Sequence, residues 1–419
     1  MQTGDGLLVR LMPIGTIQRD AFAGLCRAAR EHGNGIVEIT ARGSIQVRGL
    51  SATSAPLFAQ TIGALDIAAA EGVPVLSNAL AGLDPDEMLD AGVIAARLRP
   101  VLAAFAARLG AKISVTIDGG GALDLTHVPA DIRLLARKTN GDVALRISLG
   151  GDAASAVNLG NVQSTHAVEA VVRLLEVIAR HGRDVRARDI VAAEGIAPFG
   201  DALSSCPVLS RASTSCDCDK DVDGRDRPGH DDDPIGTHRL RDGSFACGVG
   251  LAFGHADASS LQELAQAAVA AGAIGFRTAP NRALIAIGLT EETMPAFAAA
   301  AERLGFIVRA GDPRRRVIAC AGAPVCASGH VASRSLAPLV AETAARCFDE
   351  TVTIHVSGCA KGCARSASAS LTIVGTEDGC ALIANGSARD KPCTVVPADE
   401  LPAAIARFAH EKIRDDHHV

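Results

Sequence analysis

The strongest constraint on this chain is that one pattern is written in it twice. Residues 36–50 read IVEITARGSIQVRGL and residues 274–289 read IGFRTAPNRALIAIGL. Each has two alternating apolar runs around a polar turn, the signature of a β-hairpin. Each follows a stretch with apolar residues at three- and four-residue spacing (20–32 and 259–271) and precedes another helical stretch (52–64 and 291–304). Strand, helix, hairpin, helix is the grammar of a ferredoxin-like α+β unit. Further along, residues 75–121 can be laid over 317–362. Both have a strand, a Gly-containing loop, a helix (90–109 against 335–347) and a β-rich run (112–118 against 351–357) that ends at a Gly-rich turn. Loops at the ends of such strands are where α/β folds place ligands.

Tandem duplication predicts a mixed α+β and α/β fold of two pseudo-equivalent halves. It divides the chain into a ferredoxin-like unit at 1–72, an α/β lobe at 73–205, a second ferredoxin-like unit at 241–309 and a second α/β lobe at 310–419. Between the halves, 206–240 reads as an acidic disordered linker or insertion. Eight Asp fall between 217 and 233, with Gly, Pro and Arg and no periodicity. Asp219 to Gly224 imitates the start of a calcium loop, but its twelfth position is His230 rather than Glu, and Pro228 interrupts it.

Composition removes several classes of function. With 48% apolar and 21% charged residues over 419 positions, the chain can bury a sizeable core. Its 41 basic and 47 acidic side chains argue against a polybasic nucleic-acid binder. Trp and Tyr are absent, so neither base stacking on aromatic platforms nor an aromatic membrane belt is expected. Apolar runs stop well short of the roughly 18–20 residues a bilayer span needs. The N-terminus shows no basic segment followed by a long apolar run, so a cytoplasmic location is expected.

Seven of the twelve cysteines fall in the last hundred residues. Cys320 and Cys326 form C-x5-C; Cys359 and Cys363 form C-x3-C. Each pair follows an apolar, strand-like run and sits in a loop rich in Gly and Ala, where backbone can approach a bulky inorganic object. Four thiolates on two adjacent strand ends suit a [4Fe–4S] cube, with free N–H groups to bond its sulfurs. Structural zinc prefers shorter spacings, and disulfides are disfavoured in a reducing compartment. Cys26, Cys247, Cys347, Cys380 and Cys393 read as buried inert thiols. The matching loops of the first half, residues 75–84 and 117–121, contain no cysteine. One half therefore holds the cluster and its twin keeps the loops without it, with a cavity between them that the two hairpins can supply with cations.

A duplicated ferredoxin-like plus α/β unit, with these two cysteine pairs in the second half only, resembles the sirohaem sulfite and nitrite reductases. Thr40, Arg42 and Gln46 match that family's Thr-x-Arg-x-x-x-Gln hairpin. Lys112 matches the first Lys of its Lys-Phe-Lys segment, whereas Ser114 stands at the second. Ser77-Asn78 replaces its Arg-Asn pair. Residues 357–364 read SGCAKGCA where that family has Gly-Cys-Pro-Asn-x-Cys, a variant similar to the precorrin-3B synthase branch of aerobic cobalamin biosynthesis. The 78–84 loop agrees with that branch; Ala364-Arg365-Ser366 departs from it.

That resemblance implies a monooxygenase that uses O2 and reducing equivalents from a NADH-linked reductase or a ferredoxin. It would hydroxylate precorrin-3A at C20 and close a γ-lactone from the ring A acetate. It implies a [4Fe–4S] cluster on Cys320, Cys326, Cys359 and Cys363, and a mononuclear non-haem iron whose ligands the sequence does not name. The precorrin's many carboxylates need converging cations. Arg42, Lys112, Arg282 and Lys361 are the candidates, and Lys361, between two cluster cysteines, could instead tune the cluster. The alternative is a sirohaem-dependent sulfite or nitrite reductase, a reading weakened by the missing cations around a small anion.

Overall fold

The structure is a computed structural model that describes residues 2–139, 141–204 and 233–416. The first ferredoxin-like segment contains β1 (Gln2–Thr3), β2 (Gly6–Leu11), β3 (Ile17–Gln18), α1 (Arg19–His32), β4 (Ile36–Ile39), β5 (Ile45–Leu50) and α2 (Ser54–Gly63). The first α/β segment follows with β6 (Val75–Ser77), α3 (Ala91–Leu102), β7 (Val115–Asp118), β8 (Ile132–Thr139), β9 (Asp142–Leu149), β10 (Val157–Val162), α4 (Ala167–His181), α5 (Ala187–Glu194) and α6 (Ala197–Ser204). The second half opens with β11 (Gly236–Arg239), β12 (Phe245–Gly250), β13 (His255–Asp257), α7 (Ala258–Ala270), β14 (Gly275–Ala279), β15 (Ala283–Leu289) and α8 (Met294–Arg303). It closes with β16 (Val317–Ala319), α9 (Ser333–Cys347), β17 (Ile354–Ser357), β18 (Ala369–Thr376), β19 (Gly379–Gly386), β20 (Thr394–Val396) and α10 (Leu401–Asp416).

The duplication is visible in the registers. In the first α/β sheet β6, β7 and β8 run parallel, then β9 and β10 return antiparallel. The second sheet repeats this order, with β16, β17 and β18 parallel and β19 and β20 antiparallel. Val75 is thus to Val115 what Val317 is to Ile354. The expected helix at 90–109 ends earlier than its pattern suggests: α3 carries Pro100 and closes at Leu102.

The two ferredoxin-like sheets are not independent. Each borrows its edge strand from the other half: β13 pairs with β4, and β3 pairs with β14. The strand orders are β1-β2-β5-β4-β13 and β11-β12-β15-β14-β3. The helix-facing sides then share one apolar core, in which Phe22 of α1 stacks on Phe276 of β14 with ring centroids 4.5 Å apart. Burial of apolar surface contributes roughly 25 cal/mol per Å², so this shared core holds the two halves together. The opposite side of the first hairpin carries Glu38, Gln46 and Arg48 and lines a cavity, whereas that of the second packs Ala279, Ala283, Ile285 and Ile287 against Ala79, Leu80 and Leu123 of the first half.

The acidic stretch at 205–232, with the calcium-like segment and Cys206, Cys216 and Cys218, lies outside the described residues. Its expected end does not hold: Gly236–Arg239, inside the segment read as linker, is β11, paired along its whole length with β12. No helix among the described residues is long and apolar enough to cross a membrane.

Candidate functional site

The C-terminal ends of β16 and β17 lie side by side, and the two cysteine loops leave from them. Cys320, Cys326, Cys359 and Cys363 line one small cavity of about 30 Å3 together with Gly4, Gly322, Gly329, Gly358, Ser328 and Lys361. On the same measure one water needs about 10–15 Å3. Backbone ties hold the loops: Cys320 N–H donates to Val356 O (3.2 Å), His330 N–H to Gly358 O (2.8 Å), and Ala327 N–H to Gly4 O (2.9 Å). Gly358 N–H donates to Cys320 Sγ at 3.1 Å, and Ser333 Oγ lies 3.7 Å from the same sulfur. A Cβ on Gly358 would stand 2.8 Å from Gly322 Cα, and one on Gly4 would run into the Cys326 thiol. The small residues are therefore what leaves the space open.

Among the described residues no three His, Cys, Asp or Glu side chains gather closely enough to hold a single ion. Yet four thiols ring one space. Burial, then the nearby Cys320 and Cys359 thiols, push the Cys363 thiol up, with the Arg48 cation opposing them. Four thiols around one space, with a backbone N–H aimed at one sulfur, are a donor set that fits an iron–sulfur group. The described residues contain no His and carboxylate set for a mononuclear non-haem iron. His330, one of the two histidines nearest the loops, is exposed. The other, His355, is fully buried between Ile318 and Thr372, and burial, then Arg365 and Arg282, lower its ring to about 4.

Of the thiols read as inert, Cys26 and Cys247 are buried, and burial pushes them up to about 12 and about 11. Cys380 is buried too, but Cys347 is half-buried and Cys393 exposed, because they fall at a helix end and in a loop rather than in a core.

A second cavity, about 840 Å3, opens against the cysteine loops at Cys320, Ala321 and Cys363. It is bounded by both hairpins, α3 and the loop after β6. Seven arginines (Arg10, Arg42, Arg48, Arg99, Arg186, Arg277 and Arg282) and Lys112 line it, against the carboxylates Glu38 and Asp90. Arg42 donates to Ser114 Oγ (3.3 Å) and Pro129 O (2.9 Å), neither of which neutralises it. Burial, then the Arg186 cation, lower Arg42 from its ordinary value. Arg186 is clamped by the buried Asp131, Nε to Oδ1 at 2.8 Å and Nη2 to Oδ2 at 2.7 Å. Arg277 donates to Ala79 O, Ala81 O and Thr16 Oγ1 at 2.9–3.0 Å, so the first-half loop is held by a second-half side chain.

Arg282 sits at the tip of the second hairpin with φ +63°, next to Asn281 at +61°. Asn tolerates this region; Arg held there costs about 1–2 kcal/mol. Burial, then the Arg365 cation, lower Arg282 to about 10. A strained, buried cation facing a cavity gains most from an incoming carboxylate. The structure thus brings Arg42, Lys112 and Arg282 to one cavity. Lys361 is not part of that lining; it faces the cysteine cavity and donates to Ser328 Oγ at 2.8 Å.

Sequence reasoning missed Arg10, Arg48, Arg99, Arg186 and Arg277. A signal exists for two of them. Arg10, Gln46 and Glu38 are cross-strand partners, and Arg48 is two residues beyond Gln46 on the same side of β5. The Gln46 amide, with its NH2 toward Glu38 (3.1 Å), accepts from Arg10 Nη2 at 2.7 Å.

Residues 1–65 match the nitrite/sulfite reductase ferredoxin-like half domain. The chain is 38% identical over 411 residues to a precorrin-3B synthase from a Sinorhizobium species, covering 97% of this chain and 86% of that protein. The chain belongs to the precorrin-3B synthase family. It is also 21% identical over 445 residues to a ferredoxin–nitrite reductase of Synechococcus elongatus, covering 96% and 85%. The solved structure of the Mycobacterium tuberculosis NirA protein matches with a TM-score of 0.73 at 20% identity, over 96% of this chain and 80% of that one. That likeness shows the fold of this chain; by its family the chain is an oxidoreductase of cobalamin biosynthesis.

Proposed function

We propose that this chain converts precorrin-3A to precorrin-3B, hydroxylating C20 and closing a γ-lactone from the ring A acetate with O2 and reducing equivalents. One observation carries the reading: an 840 Å3 cavity with eight cationic side chains opens directly onto two of the four clustered cysteines. Small-molecule cavities run about 300–1,000 Å3, so the volume suits a macrocycle, and the charge suits its carboxylates.

Cys320, Cys326, Cys359 and Cys363 would hold a [4Fe–4S] cluster, and such a group supplies single electrons at the cavity wall. Arg42, Lys112 and Arg282, which make no ion pair with a carboxylate among the described residues, bind substrate carboxylates and fix the macrocycle's register. Arg277 and Arg186, tied to backbone and to Asp131, hold the cavity's shape. Neutralising these cations on binding expels their water and sets the ring A acetate for lactone closure.

The test is incubation of purified protein with precorrin-3A, O2 and a reductant, followed by mass spectrometry. A product heavier by one oxygen is expected. An unchanged mass, with turnover of sulfite or nitrite and sirohaem bands in the visible spectrum, would overturn the proposal.

A further inference from the structure

One charged side chain among the described residues borders both cavities. Arg48 lines the small cysteine cavity and the large cationic one, alongside Cys320, Ala321 and Cys363. It is not free to bind substrate as Arg42 is. Its Nε donates to Asp5 Oδ2 at 2.8 Å and its Nη2 to Asp5 Oδ1 at 3.2 Å, while Nη1 lies 3.5 Å from Glu38 Oε2. The Asp5 side chain is 0% exposed and that of Arg48 12%, so solvent screens the pair weakly. Glu38 is fixed in turn by Arg334, whose Nη2 donates to Oε1 at 2.9 Å. Asp5 follows Gly4, which itself lines the cysteine cavity. A guanidinium is thus locked, by two carboxylates, onto the wall shared by the two sites.

We propose that Arg48 is a positioning residue that sets the reduction potential of the cluster from the cavity side. The inference rests on reading the four cysteines as cluster ligands. Reduction adds one electron, and so one negative charge, to the cage; the electron comes from the external reductant. A fixed cation on the wall stabilises the more negative, reduced state and raises the potential, whereas the Asp5 carboxylate beneath it acts the other way. Lys361, on the same small cavity, is a flexible ammonium held by one hydroxyl, and a point charge of that kind is less precisely placed than a clamped fork.

The experiment is a dithionite titration of the purified holoprotein followed by the visible spectrum and by electron paramagnetic resonance. It compares the wild type with Arg48→Gln, Arg48→Lys and Asp5→Asn. Arg48→Gln is expected to shift the reduced-to-oxidised ratio at fixed potential at least tenfold toward oxidised, about 59 mV more negative for one electron. Arg48→Lys keeps the charge but not the two-point clamp, so a smaller shift of the same sign is expected. Asp5→Asn removes an anion and leaves the cation, so its shift is expected in the opposite direction. Structural damage alone would move both substitutions the same way. An unmoved potential in Arg48→Gln, or same-sign shifts in Arg48→Gln and Asp5→Asn, overturns the inference. If Arg48→Gln fails to assemble its cluster, Arg48→Lys and Asp5→Asn decide by the same signs. Wild-type protein without four iron and four sulfide per chain instead refutes the cluster reading itself.

Discussion

Gly358→Ala tests the cysteine cage with a single carbon. The new Cβ would stand 2.8 Å from Gly322 Cα, 3.4 Å from Gly329 Cα and 3.3 Å from Ser333 Oγ. Two of these are backbone atoms, Gly322 within the C-x5-C segment and Gly329 just beyond it, so no side chain can swing clear. Comfortable carbon–carbon separation begins near 3.5 Å, so the two loops must part by about 0.7 Å. Metal–ligand distances tolerate about 0.2 Å, and the gap exceeds that more than threefold. The movement also draws the Gly358 N–H off Cys320 Sγ, where it now donates at 3.1 Å. Overpacking of this kind costs about 1–3 kcal/mol of stability, which a chain of this size survives. The expected signature is therefore a folded protein that has lost most of its iron and acid-labile sulfide. Gly311→Ala, where a Cβ meets nothing within 4 Å, is the control and should keep both. Iron and sulfide per chain and a thermal melt on each variant check this. Wild-type iron content in folded Gly358→Ala would falsify the claim that these glycines exist to bring the thiols together.

Four further outcomes follow from the same geometry. Cys326→Ser and Cys359→Ser should each abolish the cluster's visible absorption while leaving far-UV circular dichroism intact; retention of full iron by either removes it from the ligand set. Arg282→Ala forfeits a charge-assisted hydrogen bond of about 1.5–3 kcal/mol, so substrate affinity should fall roughly 10- to 100-fold, and a KM within twofold of wild type would remove Arg282 from substrate binding. Asp131→Ala leaves Arg186 without its clamp and should destabilise by about 3 kcal/mol, read by denaturant unfolding; a loss below about 1 kcal/mol would mean that the ion pair is dispensable. His355 and His255 are both held to about 4 by burial, so unfolded chains bind protons that the folded chain does not. Stability should be full above pH 6.5 and fall as pH drops from there toward 4. A melting temperature flat across that window contradicts the lowered values, and His355→Gln should flatten part of the slope.

How much was legible in the sequence depended on range. The hairpins at 36–50 and 274–289 and their flanking helices were readable because alternation and helical spacing are local consequences of backbone geometry. That Cys320, Cys326, Cys359 and Cys363 leave neighbouring strand ends was readable because each pair follows an apolar, strand-like run and sits in a Gly-rich loop. Arg277 was not, because its partners, Ala79 O and Ala81 O, are nearly two hundred residues away and carry no side-chain signal. Nor was Arg186, whose place depends on Asp131 reaching across from the start of β8.

The sequence by itself determined the duplication, the two kinds of unit and the sulfur-bearing loops, since each is encoded in residues near one another along the chain. Only the tertiary structure decided that β3 and β13 exchange sheets. With the halves so joined, Glu38, Gln46, Arg48 and Arg277 line one cavity rather than facing out to solvent. Alternation tells which residues share a face of a strand; what that face meets is set by long-range packing of the apolar face behind it.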